Sequence, residues 1–217
     1  MQTTDLESIV KLSSPQYEGK ASLEEVLFKR RSRRQFIHET ILKTELSQLL
    51  WAAYGKSGTI TKPGNTHFNL LTTPSAGASY PLKVYTIAGN VECIEKGCYQ
   101  YLPDDHSLKL MQTGDLRENL CQAAHNQTFI KDASATIIIT AQYEKITKHY
   151  GERGAERYVC IEAGHASQNV YLQAEALEIG TCIVSAFDDD KIGELLHLVP
   201  EETPLVIMPL GRYPVHV

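Results

Sequence analysis

ATIIITA, residues 135–141, is apolar and largely β-branched on both of its alternating faces. A strand with one wet face alternates apolar and polar side chains, whereas a strand covered on both faces does not. The stretch therefore predicts a central strand with structure packed on either side. Upstream, residues 83–88, 98–102 and 108–112 read as short strands separated by turn formers, an antiparallel meander. Downstream, residues 156–178 read as one long helix. Val159, Ala163, Ala166, Val170, Ala174 and Leu177 form a stripe of mostly small residues at helical spacing, which lets the helix pack closely. Gly180 is expected to end it, followed by a strand over 181–185, a short Asp-capped helix over 188–196 and a last strand over 205–210. Mixed elements of this kind give an α+β fold, helices around a mainly antiparallel central sheet.

The first third is less regular. Residues 1–21 show little pattern and read as an extended N-terminal arm, with residues 22–217 forming the domain. Ser22-Leu23-Glu24-Glu25 reads as a capping box, opening a helix that presents Leu23, Val26 and Leu27 on one face and ends near Arg30. A second helix starts at Thr44, with Leu46, Leu49, Leu50 and Ala53 at helical spacing and Gly55 just past its end. Residues 56–81 are rich in Gly, Pro, Ser and Thr and are expected to be mostly loop, with a short strand near 68–71. Asp115 is expected to cap a helix running to about Ala124.

The chain of 217 residues fits one domain with a sizeable core. Its formal net charge of −5 argues against general nucleic-acid binding, which shows as a basic face. No apolar run approaches the ~20 residues that cross a bilayer, so no membrane partner is expected. The stretch MQTTDLESIV lacks the basic and apolar regions of a signal peptide. The five cysteines are scattered, without CxxC or zinc spacing, which predicts reduced thiols, a cytoplasmic protein and no metal.

Against that acidic background, KRRSRR (residues 29–34) places five cations in six residues. Three readings are open: a solvated basic face, a nucleic-acid or nuclear-localisation patch, or a pocket for a small phosphorylated ligand. The cations close a capped helix and lead into an extended segment, RQFI. There Ser32 and Arg34 should point one way, and Arg31 and Arg33 the other. Arginine forks match phosphate oxygens, and a serine hydroxyl adds a neutral donor. TPSAGASYP, residues 73–81, is either a plain turn or a loop whose backbone meets a flat ligand, since Ala and Gly leave room. In GTCIVSAFDDD, residues 180–190, the aspartates read as a helix cap, and the Ser185 and Ala186 N–H groups can point at a ligand. In PLGRYP, Arg212 follows an apolar strand and can reach a buried anion. No GxSxG, HExxH or Cys/His pairing is present, and His165 reads as a packed core histidine.

Taken in series, RRSRRQF, LSQLLWAAYG, TPSAGASYPLKVY, RYVCIEAGHASQNVYLQAEALEIGTC, SAFDDDKI and PLGRYP resemble the nitroreductase superfamily of flavin oxidoreductases, over about residues 22–214. More narrowly, the chain looks like the SagB-type dehydrogenases and thiazole/oxazole-forming oxidases. The resemblance implies an α+β homodimer with FMN at the subunit interface. It makes Arg30, Arg31, Ser32 and Arg34 phosphate and ribityl ligands and Arg212 a further phosphate contact. It makes Pro74, Ser75, Ala76 and Gly77 a loop against the flavin, and gives the Ser185 and Ala186 N–H groups to flavin N5. A small-molecule or peptide substrate would stack on the open flavin face, with Tyr80, Tyr99, Tyr101, Phe129 and Tyr143 available to line its pocket. The implied chemistry is hydride transfer to and from flavin, NAD(P)H being the expected donor. The alternatives are azoline dehydrogenation of a peptide heterocycle and a non-catalytic flavin-binding scaffold. Where azoline oxidases resemble one another in a Lys-Tyr pair, this chain has Arg157-Tyr158. Arginine is a poor base, so azoline oxidation is less expected, with Tyr158 the group able to take part. The lysine–arginine phosphate site that many shorter nitroreductases carry near the C-terminus has no counterpart before Val217.

Overall fold

The seven residues of the opening stretch occupy the interior of a seven-stranded sheet. The computed structural model describes residues 8–62 and 65–214. In it β7 (Ala135–Gln142) lies between β4 (Leu82–Ala88) and β9 (Glu202–Gly211), and residues 135–141 are all buried. The strand order is β1-β6-β5-β4-β7-β9-β8, with every neighbour antiparallel. β4, β5 (Gly97–Leu102) and β6 (Ser107–Thr113) form the expected meander. β1 (Ile9–Lys11), in the N-terminal arm, pairs with β6 at the edge.

Alternation along β7 builds two cores. Ile137 and Ile139 join Leu46, Leu49 and Leu50 of α2 (Lys43–Tyr54) and Val159, Ala166 and Val170 of α6 (Val159–Ala176). Ile138 faces the other way. It packs with Leu120 of α3 (Arg117–Ala123), Ile130 of α4 (Phe129–Asp132) and Ile192 and Leu196 of α7 (Asp189–Leu196). The sheet is thus covered on both faces, and the α+β expectation holds.

Several elements differ from expectation for identifiable reasons. The segment 56–71 is a separate hairpin, β2 (Lys56–Lys62) with β3 (Thr66–Leu71). The β-branched run Thr59-Ile60-Thr61 and the alternation after Thr66 carry the pairing, outweighing the Gly and Pro content. The helix expected over 156–178 is α6 with a π-helical first turn, and a further helix that the sequence reading did not expect precedes it. α5 (Glu144–Arg153) meets α6 through a π-helical turn, Gly154–Tyr158, after a break at Gly151 with φ 57° and ψ −151°. Gly180 does not end α6. Glu178 takes the left-handed turn at φ 56°, and Gly180 lies in the two-residue β8 (Gly180–Thr181). There an added Cβ would stand 3.0 Å from Tyr213 and 3.2 Å from Arg33. The strand expected over 181–185 is reduced to β8 and a single bridge, Val184 to Ile207. Asp188 does cap α7, accepting from the Lys191 N–H at 3.1 Å. Asp115 precedes α3 without being its cap residue, and its carboxylate is held by Arg117 and Lys96. In α1 (Leu23–Lys29) Ser22 caps the Glu25 N–H at 3.1 Å, yet only Val26 is buried; Leu23, Leu27 and Phe28 are exposed. No helix among the described residues is long and apolar enough to cross a membrane.

Candidate functional site

Residues 30–37 leave α1 as an extended segment that never becomes a strand. The Arg33 N–H donates to the Thr181 carbonyl and the Ile37 N–H to the Arg212 carbonyl, each at 2.9 Å. A cleft of about 730 Å³ opens beside it, lined by Phe28, Arg31, Ser32, Arg34, Glu175 and Tyr213 among others. The cations of this segment are not equivalent. Arg33 is neutralised: it pairs with Glu175 and stacks on Tyr213 at 4.1 Å. Arg31 curls back and donates to the Phe28 and Arg30 carbonyls at 2.9 and 2.8 Å, closing the end of α1. Arg30 lies over the Tyr171 ring at 5.1 Å. Neither Arg30 nor Arg34 has a carboxylate partner among the described residues. The side chains do not alternate as expected. Ser32 and Arg33 both reach α6, at Tyr171 and Glu175 one turn apart.

Tyr171 joins this cleft to the segment after β8. Its hydroxyl lies 2.9 Å from Ser32 Oγ and accepts the Ile183 N–H at 2.8 Å. Beyond Ile183 the chain is pinned twice, Val184 N–H to the Ile207 carbonyl and Asp188 N–H to the Ala123 carbonyl, each at 2.9 Å. The Ala186 carbonyl accepts from Gln127 Nε2 at 3.0 Å. Between the pins the exposed Ser185 and Ala186 N–H groups donate to no protein atom among the described residues. Two adjacent donors are thus left open two and three residues beyond the Tyr171 tie that holds Ser32.

The loop 73–80 is fixed from below. Buried Thr73 donates to the Ala53 carbonyl at 2.7 Å and accepts from Asn169 Nδ2 at 3.2 Å. Gly77 sits at φ 60°, where an added Cβ would fall 2.6 Å from the Tyr150 hydroxyl. Pro74, Ser75 and Ala76 line a second cavity, about 290 Å³, together with Tyr158, Ile161, Glu162 and His165. The structure thus brings the predicted loop and the predicted Tyr158 to one place. Tyr158 accepts from Arg153 Nε at 3.1 Å and meets the Tyr150 ring edge-on at 5.1 Å. His165 is exposed on this cavity, not a core residue as expected, because it lies off the buried stripe of α6.

The residue that the sequence reading missed is Glu162, only 2 % exposed. It accepts from Tyr54 and Ser75 hydroxyls, each at 2.6 Å. Burial pushes its carboxyl above the usual range, against the pull of those hydrogen bonds and of His165. The signal was available: Glu162 stands three residues after Val159 and four before Ala166, on the buried stripe. Arg212 lies elsewhere. Its guanidinium pairs with Glu45 and donates to the Leu177 carbonyl at 3.0 Å, tying β9 to α2 and the end of α6. Of the aromatic residues considered for a substrate pocket, Tyr80 and Tyr101 line a third cavity of about 430 Å³ with Lys83 and Lys145. Tyr99, Phe129 and Tyr143 pack into the cores.

An antiparallel sheet wrapped by helices on both faces, with an anion-ready cleft at the sheet end that carries β8, defines an α+β ligand-binding domain. The model of the Nitroreductase family matches residues 27–212, and the chain belongs to that family. A Methanocaldococcus jannaschii protein named as a nitroreductase is 43% identical over 190 residues, covering 88% of this chain and 90% of that protein. Among solved structures, a nitroreductase of Ralstonia eutropha superposes with TM-score 0.79 at 25% identity, covering 96% of this chain and 90% of that one. The Escherichia coli microcin synthetase McbBCD complex, solved with truncated pro-MccB17 bound, matches with TM-score 0.70 at 20% identity over 87% of this chain and 73% of its own. The NADPH:FMN oxidoreductase of Vibrio harveyi, complexed with NAD+, matches with TM-score 0.62 at 16% identity over 89% and 69%.

Proposed function

We propose that the protein is an FMN-dependent oxidoreductase, active as a homodimer, that takes hydride from NAD(P)H and passes it to a small organic acceptor. The observation that carries this reading is the junction at Tyr171, whose ring lies under Arg30 and whose hydroxyl ties Ser32 of the arginine segment to Ile183, two residues before the open Ser185 and Ala186 N–H groups. The donor set fits FMN. A phosphate with roughly −1.5 to −2 charges near neutral pH calls for arginines and a hydroxyl. A flat ring with acceptor atoms calls for N–H donors on a rigid backbone. Arg30, Arg31, Ser32 and Arg34 would hold the phosphate and ribityl chain. Ser185 and Ala186 would orient the ring, and the Pro74–Gly77 loop would face a flavin across the dimer. Arg212 is engaged by Glu45 and adds support to β9 rather than a free charge. When bound, the cofactor supplies the hydride chemistry; the chain binds, orients and excludes water. The exposed Leu23, Leu27 and Phe28 of α1, the last of which lines the cleft, support a partner subunit covering this face.

A second reading has its own support. Tyr158 holds a phenol against the smaller cavity, and the fold is similar to a chain of the microcin synthetase complex. Peptide azoline dehydrogenation is therefore the alternative donor reaction. An anaerobic absorption spectrum of the FMN-loaded protein separates the two. Bleaching by NADH or NADPH supports the first. Oxidised flavin that bleaches only with an azoline-bearing peptide supports the second. Bound flavin that no donor reduces would leave a scaffold, and failure to retain FMN would overturn both.

A further inference from the structure

A hydride that lands on an organic acceptor must be joined by a proton, and the residues assigned to flavin binding supply none. We infer that Glu162 and Ser75 form a two-residue proton relay that opens into the cavity beside Tyr158 and protonates the acceptor there. This rests on the oxidoreductase reading.

The groups facing Glu162 are Tyr54 from α2, Ser75 from the 73–80 loop and, along its own helix, His165. No cation forms an ion pair with it among the described residues. Both hydroxyls are pinned from behind by backbone donors: Tyr54 accepts the Leu82 N–H at 3.3 Å, and Ser75 Oγ accepts the Tyr80 N–H at 2.9 Å. Each then gives its single proton to the carboxylate, Tyr54 to Oε1 and Ser75 to Oε2. That is the ionised arrangement.

Putting a proton on Oε2 reverses one bond. Glu162 becomes the donor, and Ser75 Oγ now accepts from both Glu162 and Tyr80 N–H. The serine's own hydrogen has no protein acceptor left and turns into the cavity that Ser75 lines. Burial in an apolar helix face favours this uptake, since a buried carboxylate without a cation is costly. On the other side Tyr54 lines the third cavity and not the one beside Tyr158, so only the Ser75 branch leads to the latter.

The step balances. The Ser75 O–H bond breaks as a heteroatom–H bond forms on the acceptor. The Glu162 Oε2–H bond breaks as the Ser75 O–H bond reforms. The acceptor gains one hydride from the reduced cofactor and one proton. Glu162 is left as a carboxylate, which water reprotonates once product leaves. In the reverse direction the same pair removes the proton of a substrate that loses hydride.

The test uses the full chain loaded with FMN and two oxidants. p-Benzoquinone takes hydride and proton, whereas ferricyanide takes single electrons and no proton. Glu162→Gln should slow quinone reduction about a hundredfold, as loss of a general acid does, and leave ferricyanide reduction near wild type, while Ser75→Ala, in the loop set against the flavin, should slow quinone reduction by a clearly larger factor than ferricyanide reduction. Equal loss with both oxidants would overturn the relay and leave Glu162 as an anchor for the loop. A second readout needs no cofactor. Infrared difference spectra of the chain between about pH 5 and 9 should show a protonated-carboxyl band that Glu162→Gln removes and Ser75→Ala shifts. Absence of a band removed in Glu162→Gln would overturn the relay even where FMN binds. If wild type holds no FMN, the function reading fails, while the infrared result still decides whether Glu162 takes up a proton.

Discussion

Replacing Tyr171 by phenylalanine removes one oxygen and keeps the ring. The ring still fills its place on α6 beneath Arg30, 5.1 Å away. What is lost is the hydroxyl that spans Ser32 Oγ at 2.9 Å and the Ile183 N–H at 2.8 Å. Ser32 is exposed, so water replaces its bond at little cost. The part-buried Ile183 N–H is left without its acceptor, an effect worth ~1–3 kcal/mol. Partial access of water places the loss in the lower half, about 1–2 kcal/mol. For a chain of this size each kcal/mol moves Tm by about 2–4 °C, so the melt should drop by about 2–8 °C. The same change unties the arginine segment from the Ser185–Ala186 donors. FMN affinity should then fall about tenfold, or ~1.4 kcal/mol. Thermal melts of the protein without FMN and flavin-fluorescence titrations read the two effects separately. A lowered Tm with unchanged affinity would refute the coupling. No change in either would refute the account of Tyr171 altogether.

Arg30→Ala and Arg34→Ala should each weaken FMN binding about tenfold to a hundredfold, the worth of a charged hydrogen bond, whereas Arg33→Ala should chiefly lower Tm by stranding the carboxylate of Glu175. Equal effects from all three in a fluorescence titration would mean the cluster acts as a diffuse charge. Burial holds the His106 imidazole below its usual 6.5. Its Nε2–H donates to the Ser13 carbonyl at 2.9 Å, leaving Nδ1 to accept from Tyr101 at 2.8 Å. The unfolded chain therefore binds this proton first as pH falls. The stabilisation is full above about pH 6.5 and is lost as the pH drops through the lowered folded value. Melts at about pH 7.5 and 5.5 should differ more for wild type than for His106→Gln, and equal differences would refute the assignment. Leu27→Lys together with Phe28→Glu should convert a dimer to monomer in light scattering, with the monomer's Tm nearly unchanged; an intact dimer would move the interface off α1.

Both halves of the Tyr171 junction were legible as pieces, but the tie between them was not. KRRSRR announced an anion site because arginines and a serine cluster after a capped helix. Nothing in the sequence said that Arg33 would be taken by Glu175, since that pairing crosses from residue 33 to residue 175. ATIIITA gave away the sheet because local composition alone reports burial on both faces. The hairpin at 56–71 stayed hidden because its β-branched run is interleaved with turn residues, and a tally of Gly and Pro outvoted the alternation. α5, ahead of the break at Gly151, was not read at all, because Glu144–Arg153 is polar and only Ile146 in it is buried. Glu162 was passed over because a glutamate on a helix is ordinarily solvated; only the hydroxyls of Tyr54 and Ser75, distant in sequence, make its burial tolerable. Arg212 was read from its neighbours along the chain, and it is occupied by a residue, Glu45, that no local pattern links to it.

The position of β9 bears on how the chain reaches this state. β9 is the last of the described elements in sequence, yet it sits inside the sheet, registered against all eight residues of β7 from Ala135 to Gln142. Until it is made and docked, the backbone of ATIIITA has one open edge. An uncharged, β-branched, proline-free edge is a template for pairing with other chains. The meander of β4 to β6 can assemble early from near neighbours, but closure waits for a long-range pairing, which is slow. Substitutions that weaken β9, such as Ile207→Thr, should therefore reveal themselves as insoluble product during expression, while the fraction that escapes turns over normally.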